Sequence, residues 1–281
     1  MKFEVNASLG YKVTSPTTFI FNISVLRNLH QQVIEESFIV DPAIQYQELQ
    51  RSNEGNRFIR MQVMVPMDIF ISYRAVVNTS WTIIPQLYQT AENVAYLEPS
   101  ILKYLNPSRY CQSDKLARLA NNKFNNIENP YLKVIELTGW INRNVEYLSG
   151  STNSETSAYD TVTQQAGVCR DFAHLGIALC RALTIPARYF TGYAFQLHPA
   201  DFHACFEAYL GGKWILFDAT GLAPLNGMVK IGSSRDAADV PVASIFGNAE
   251  NSFMTVECKC NETGFSPYFY QPGNLEGISY L

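Results

Sequence analysis

Residues 164–188 read QQAGVCRDFAHLGIALCRALTIPAR. From Cys169 to Leu183 apolar side chains recur at helical spacing, and Ile185-Pro186 supplies the stop. On a wheel of about 100° per residue, Phe172, Leu175, Leu179, Cys180 and Leu183 share a side with Cys169. Arg170, Asp171, His174 and Arg181 take the other side, which reads as a solvated face. Cys169 therefore stands in the first turn of an amphipathic helix, on its buried edge. A thiol there meets unpaired N–H groups and the positive end of the helix dipole, and both favour thiolate. His174 is close in sequence but lies about 140° around the wheel from Cys169, so it reads as a surface histidine and not as the partner of the thiol. Cys180, about 16 Å further along the axis, reads as an inert core thiol.

The base is sought in FHACFEAYLGGKWILFDATG, residues 202–221. Two strand-like runs flank Gly211-Gly212, the composition of a two-residue hairpin turn. Such a turn pairs Leu210 with Lys213 and sets Cys205 opposite Asp218. His203 is then one diagonal step from Asp218, and His203, Cys205, Glu207 and Tyr209 share a face with Trp214, Leu216, Asp218 and Thr220. A slip of one residue would reverse the relation. A cysteine nucleophile needs an imidazole to shuttle its proton and a carboxylate to orient that imidazole. Cys169, His203 and Asp218 supply these in chain order. His198, in a loop before Pro199, is the competing base. A metal set could combine His198, His203 and Cys205, but no CxxC or HxxxH spacing supports it, and Cys258-x-Cys260 is a lone pair. The expectation is no metal and no cofactor.

At 281 residues the chain has room for about two domains. Hydrophobic residues make up 47% and charged residues 16%, as in a soluble globular protein. A net charge of −4 with no Lys/Arg cluster speaks against nucleic-acid binding. No window approaches about 18 consecutive apolar residues, so no membrane span is expected. MKFEVNASLGYKV lacks the apolar run of a signal peptide. The six cysteines accordingly read as reduced thiols in a cytoplasmic protein. Residues 1–100 are rich in Phe, Ile, Val and Thr and read as a sandwich-like β domain, with a hairpin turn at RSNEGN, residues 51–56. Residues 101–281 mix helical and strand-like segments and hold all the candidate chemistry.

GVCRDFAHL, IPARYFTGY, HACFEAYLGGKWILFDATG and GSSRDAADV (232–240) together resemble the transglutaminase-like superfamily, whose fold is related to papain-type cysteine proteases. The likeness is to the bacterial branch, which carries an N-terminal β domain. It implies an α+β protein: a papain-like (transglutaminase-core) catalytic domain, its Cys-bearing helix packed on an antiparallel β-sheet, after a mostly β domain. It also implies Cys169 as nucleophile, His203 as general base and Asp218 as orienting carboxylate. The implied reaction is acyl transfer through a thioester on a peptide or protein substrate. Hydrolysis by a cysteine protease or amidase is favoured over cross-linking to an amine and over a non-enzymatic scaffold. The family's oxyanion hole joins the nucleophile's amide to an upstream side chain, for which Gln164 and Gln165 are the candidates. Arg235, Asp236 and Asp239 match a family motif and are expected to brace a loop. Cys205 departs from the family, standing where many relatives carry Trp. No DxDxDG loop is present, so calcium control has no visible basis.

Overall fold

The computed structural model describes residues 1–50, 55–85, 92–270 and 276–280. The first strands are β1 (Lys2–Val13), β2 (Thr17–Phe21), β3 (Gln31–Asp41), β4 (Tyr46–Gln50), β5 (Arg57–Val63), β6 (Met67–Thr79) and β7 (Thr82–Ile84). Period-two alternation makes them. In β1, Phe3, Val5, Ala7, Leu9, Tyr11 and Val13 are all buried, and β6 buries Ile69, Ile71, Tyr73 and Ala75. β4 and β5 pair antiparallel from Tyr46 with Met61 to Gln50 with Arg57. The expected turn between them lies largely at residues 51–54, outside the described residues.

Next come α1 (Pro99–Leu102), α2 (Ser113–Phe124), α3 (Pro130–Asn144), β8 (Glu146–Tyr147), α4 (Ala158–Gln164), β9 (Ala166–Gly167) and α5 (Cys169–Ala182). The chain closes with β10 (Ala187–Ala194), β11 (His203–Leu210), β12 (Lys213–Phe217), β13 (Met228–Ser234), β14 (Ala243–Phe246), β15 (Ala249–Cys260) and β16 (Gly277–Ser279). Two four-stranded sheets, β15-β1-β6-β3 and β14-β2-β5-β4, bury their apolar sides in one core around Phe3, Phe19, Phe21, Ile71 and Tyr73. A six-stranded antiparallel sheet, β13-β10-β11-β12-β16-β7, carries the candidate chemistry. The fold is α+β, as expected. Strand pairing, however, does not part at residue 100: β14 and β15 return to the N-terminal sheets, while β7 joins the six-stranded one. Nothing local reveals this, because β15 is mostly exposed and its partner β1 lies at the far end of the sequence.

α5 lies against one face of the six-stranded sheet, in a core with Ala204, Phe206, Ala208, Leu210, Ile215 and Phe217. The other face holds Phe190, Cys205, Leu216, Ile278 and Tyr280. The approach of helix to sheet needs Gly176, because a Cβ there would meet the Phe206 ring at 2.5 Å. At the helix start the Val168 N–H donates to Asp171 Oδ2 at 2.9 Å. At its end Thr184 takes a φ of +62°, ahead of Pro186.

The amphipathic reading of α5 needs correction. Every residue from Asp171 to Arg181 is buried, the polar ones included. Protein groups, not water, meet the polar face. Arg181 donates to the carbonyls of Asn106, Ala187 and Arg235 and to Ser108 Oγ. His174 is no surface histidine. It is 0% exposed, and its ring centroid lies 5.0 Å from that of Tyr110 and 5.2 Å from that of Tyr189. Its Nε2 accepts the Ala237 N–H at 3.2 Å. Burial, with help from Arg170 and Arg181, holds its pKa well below the ordinary histidine range, so the ring is the neutral acceptor this bond requires. Helical periodicity records polarity, and here loops rather than solvent satisfy it.

Candidate active site

Cys169 is the first residue of α5, and its Sγ–H donates to the Phe202 carbonyl at 3.8 Å. The next residue, His203, opens β11. The hairpin forms as its glycines dictate. Gly211 and Gly212 take φ of +58° and +73°, which L side chains resist, and the ladder runs from Leu210–Lys213 to Phe206–Phe217. Asp218 follows β12 directly and meets His203, with Nε2 to Oδ2 at 3.0 Å.

The carboxylate is held from several sides. Thr220 N and Oγ1 donate to Oδ1 at 2.9 and 2.7 Å, and Ala223 N donates to Oδ2 at 3.1 Å. Burial alone would raise the Asp218 pKa, but His203 and the Thr220 donors outweigh it and leave it lowered. For His203 burial opposes the charged ring. The Asp218 carboxylate and its hydrogen bond to the ring prevail, so the His203 pKa lies well above the ordinary range. With Asp218 ionised, Nε2 carries the proton of the 3.0 Å bond. Nδ1 is buried and has no hydrogen-bond partner among the described residues, and His203 lines the same cleft as Cys169.

Cys205 shares this corner. Donor atoms of His203, Cys205 and Asp218 lie within 4.8 Å of one another, and this trio could hold a thiophilic divalent ion. Burial, then the charge of Asp218, pushes the Cys205 thiol up to about 12, so it stays a neutral thiol beside the pair. His198, the competing base and part of the metal set considered above, is exposed in the β10–β11 loop.

Cys169 and His203 line a cleft of about 850 Å³ with Arg109, Tyr110, Tyr189 and Pro241. The 232–240 loop is braced as expected: Arg235 Nε meets Asp239 Oδ2 at 3.1 Å, and Asp236 accepts the Tyr110 N–H at 2.8 Å. Further along the His203 face, Glu207 is fully buried between Arg188 Nε at 2.6 Å and Lys230 Nζ at 3.0 Å. Burial drives the Lys230 pKa down to about 8 against the pull of Glu207. This cluster ties β10, β11 and β13 together.

Gln164 and Gln165 are not at the site. Both are exposed, and Gln165 is the left-handed cap of α4, with φ +57°. On that side Tyr147 pairs with Gly167 and its ring packs on Phe172, a placement that sequence reasoning missed because VEYLSGST carries no periodic signal and β8 spans only two residues.

A cysteine at a helix N-terminus, set against an antiparallel sheet that carries a hydrogen-bonded histidine and aspartate, defines the transglutaminase-like fold. The chain belongs to the transglutaminase-like superfamily, in its bacterial branch. Residues 1–100 match the bacterial transglutaminase N-terminal domain, and residues 117–219 match the transglutaminase-like superfamily core. A solved structure from Cytophaga hutchinsonii, described provisionally as a cysteine protease, is 55% identical. It covers 100% of this chain and 98% of its own, with a TM-score of 0.97. An uncharacterized Mycobacterium leprae protein is 25% identical over 87% of this chain and 93% of its own length. An uncharacterized Mycobacterium tuberculosis protein is 32% identical over 45% of this chain and 46% of its own length. Among the described residues no helix is long and apolar enough to cross a membrane.

Proposed function

We propose that the protein is a cysteine-dependent acyl-transfer enzyme that hydrolyses a peptide or amide bond through a thioester. One observation carries the reading: Asp218 engages Nε2 of His203 and leaves Nδ1 for the thiol of Cys169. The Cys169 thiolate attacks the carbonyl carbon. The tetrahedral intermediate collapses, the C–N bond breaks, and His203 Nδ1–H protonates the departing amine. Nδ1 then takes a proton from water, the resulting hydroxide opens the thioester, and Cys169 is restored as thiolate beside imidazolium. Asp218 holds the ring's tautomer and stabilises its charge. The Cytophaga hutchinsonii relative, described provisionally as a cysteine protease, supports the same reading.

The test is incubation with a glutaminyl peptide library, with and without a primary amine, followed by mass spectrometry. Hydrolysed products without amine incorporation, lost in Cys169→Ala, are expected. Amine-bearing products would make the protein a cross-linker. No product, with Cys169 no more reactive than a free thiol at pH 6, would make it a scaffold.

A further inference from the structure

A second cavity, of about 280 Å³, lies where the loop after β2 and the chain around α1 meet strands β10, β12 and β13. Its walls include Tyr104, Arg188, Trp214 and Lys230, and it shares no wall residue with the Cys169–His203 cleft. Among the described residues that wall it, four are cationic and none is acidic. Two of the cations are buried, Arg188 at 9% and Lys230 at 2% exposure. They share one anion. Arg188 Nε donates to Glu207 Oε2 at 2.6 Å, and Lys230 Nζ donates to Oε1 and Oε2 at 3.2 and 3.0 Å. Arg188 Nη2 is buried as well and has no hydrogen-bond partner among the described residues. Such a donor is costly to leave unpaired. With two cations to one carboxylate, the cluster holds one positive charge in surplus. The Lys230 pKa reflects the same imbalance: burial first, and then Arg188, bring it down to about 8 against the pull of Glu207.

Beside this charge the wall is aromatic. Arg188 Cζ stands 4.1 Å from the Trp214 ring centroid, and the Tyr104 ring meets Trp214 edge-on with centroids 5.1 Å apart. The stacking fixes the plane of the guanidinium, which presents its N–H groups as a rigid fork. We propose that this cavity binds a small organic carboxylate, with its charged group on Arg188 and Lys230 and its apolar body against Trp214 and Tyr104. A monoanion matches the single surplus charge. The volume falls just under the range of about 300–1,000 Å³ that suits drug-sized ligands, so the body is small. Arg27 and Lys103, both exposed at the margin, favour the approach of an anion. The site stands apart from the chemistry at Cys169 and does not rest on the acyl-transfer reading.

Benzoate is the probe, titrated into the protein by calorimetry at constant ionic strength, with benzamide as its neutral counterpart and phenyl phosphate as a dianion. Saturable one-to-one binding of benzoate is expected, with no binding of benzamide and weaker binding of phenyl phosphate. Arg188→Lys keeps a positive charge beside Glu207 and removes Nη2, and it should weaken benzoate by about 10-fold or more. A wild-type crystal soaked in 4-bromobenzoate gives a readout that needs no variant: the bromine should lie beside Trp214. Absence of benzoate binding, equal binding of benzamide, or unchanged benzoate affinity in a folded Arg188→Lys protein would overturn the proposal. So would bromine found only away from Trp214. Phenyl phosphate binding more tightly than benzoate would overturn the assignment to a carboxylate.

Discussion

His203 Nε2 and Asp218 Oδ2 stand 3.0 Å apart with both side chains almost fully buried, so the ring has one nitrogen committed and one available. The pair also sets the pH behaviour. Asp218 lifts the His203 pKa above its ordinary value, against burial. The imidazolium is therefore kept at neutral pH and lost only as pH rises through that raised value; the same pair contributes stability below the unfolded histidine pKa of about 6.5 and loses it on the alkaline side. Asp218→Asn removes the main group that opposes burial at His203. The alkaline limb of kcat/KM should move to lower pH and kcat should fall by about 10²–10⁴-fold, read from a pH–rate profile. An unmoved limb would separate Asp218 from the mechanism.

His174 predicts the opposite sign in a stability experiment. Its pKa is depressed by burial, so the unfolded chain binds the proton more tightly. Its neutral contacts contribute fully above about pH 6.5 and lose weight as pH falls below that value. The stability difference between wild type and His174→Gln, from urea unfolding at pH 8, 6.5 and 5.5, should shrink toward acid. A pH-independent difference would contradict the neutral-acceptor role.

Gly176→Ala should destabilise even though alanine is the better helix former by about 1 kcal/mol. The new Cβ would meet the Phe206 ring at 2.5 Å. Overpacking of this kind costs about 1–3 kcal/mol. Phe206→Leu in the same chain should recover part of the loss, as measured by thermal and urea unfolding.

Glu207→Gln should cost about 3–5 kcal/mol, because it leaves two buried cations, Arg188 and Lys230, without their shared anion. A double variant that also carries Lys230→Met should be less destabilised than Glu207→Gln alone, a comparison that unfolding midpoints decide.

The readable part of the protein was the part with local rules. Two glycines set the hairpin register, and with it the position of Asp218 relative to His203. The Ile185-Pro186 stop marked the end of α5, which closes at Ala182. The wheel removed His174 as the base of Cys169 correctly in direction but wrongly in reason, since a polar helical face looks the same whether water or Tyr110 and Ala237 receives it. The placement of Tyr147 beside Gly167 and the return of β14 and β15 depend on contacts between segments distant in sequence, for which spacing offers no signal. Thr220 lies beyond the end of β12, and its grip on the Asp218 carboxylate depends on the bend there.

The central claim is that the acyl group passes through Cys169. Its most direct test is acid-quenched intact-mass analysis during turnover of an activated peptide ester, with peptide mapping of the adduct. The account predicts an added mass equal to the acyl group, mapped to Cys169, and no turnover in Cys169→Ala. An acyl group mapped to Cys205, or turnover that survives Cys169→Ala, would contradict it.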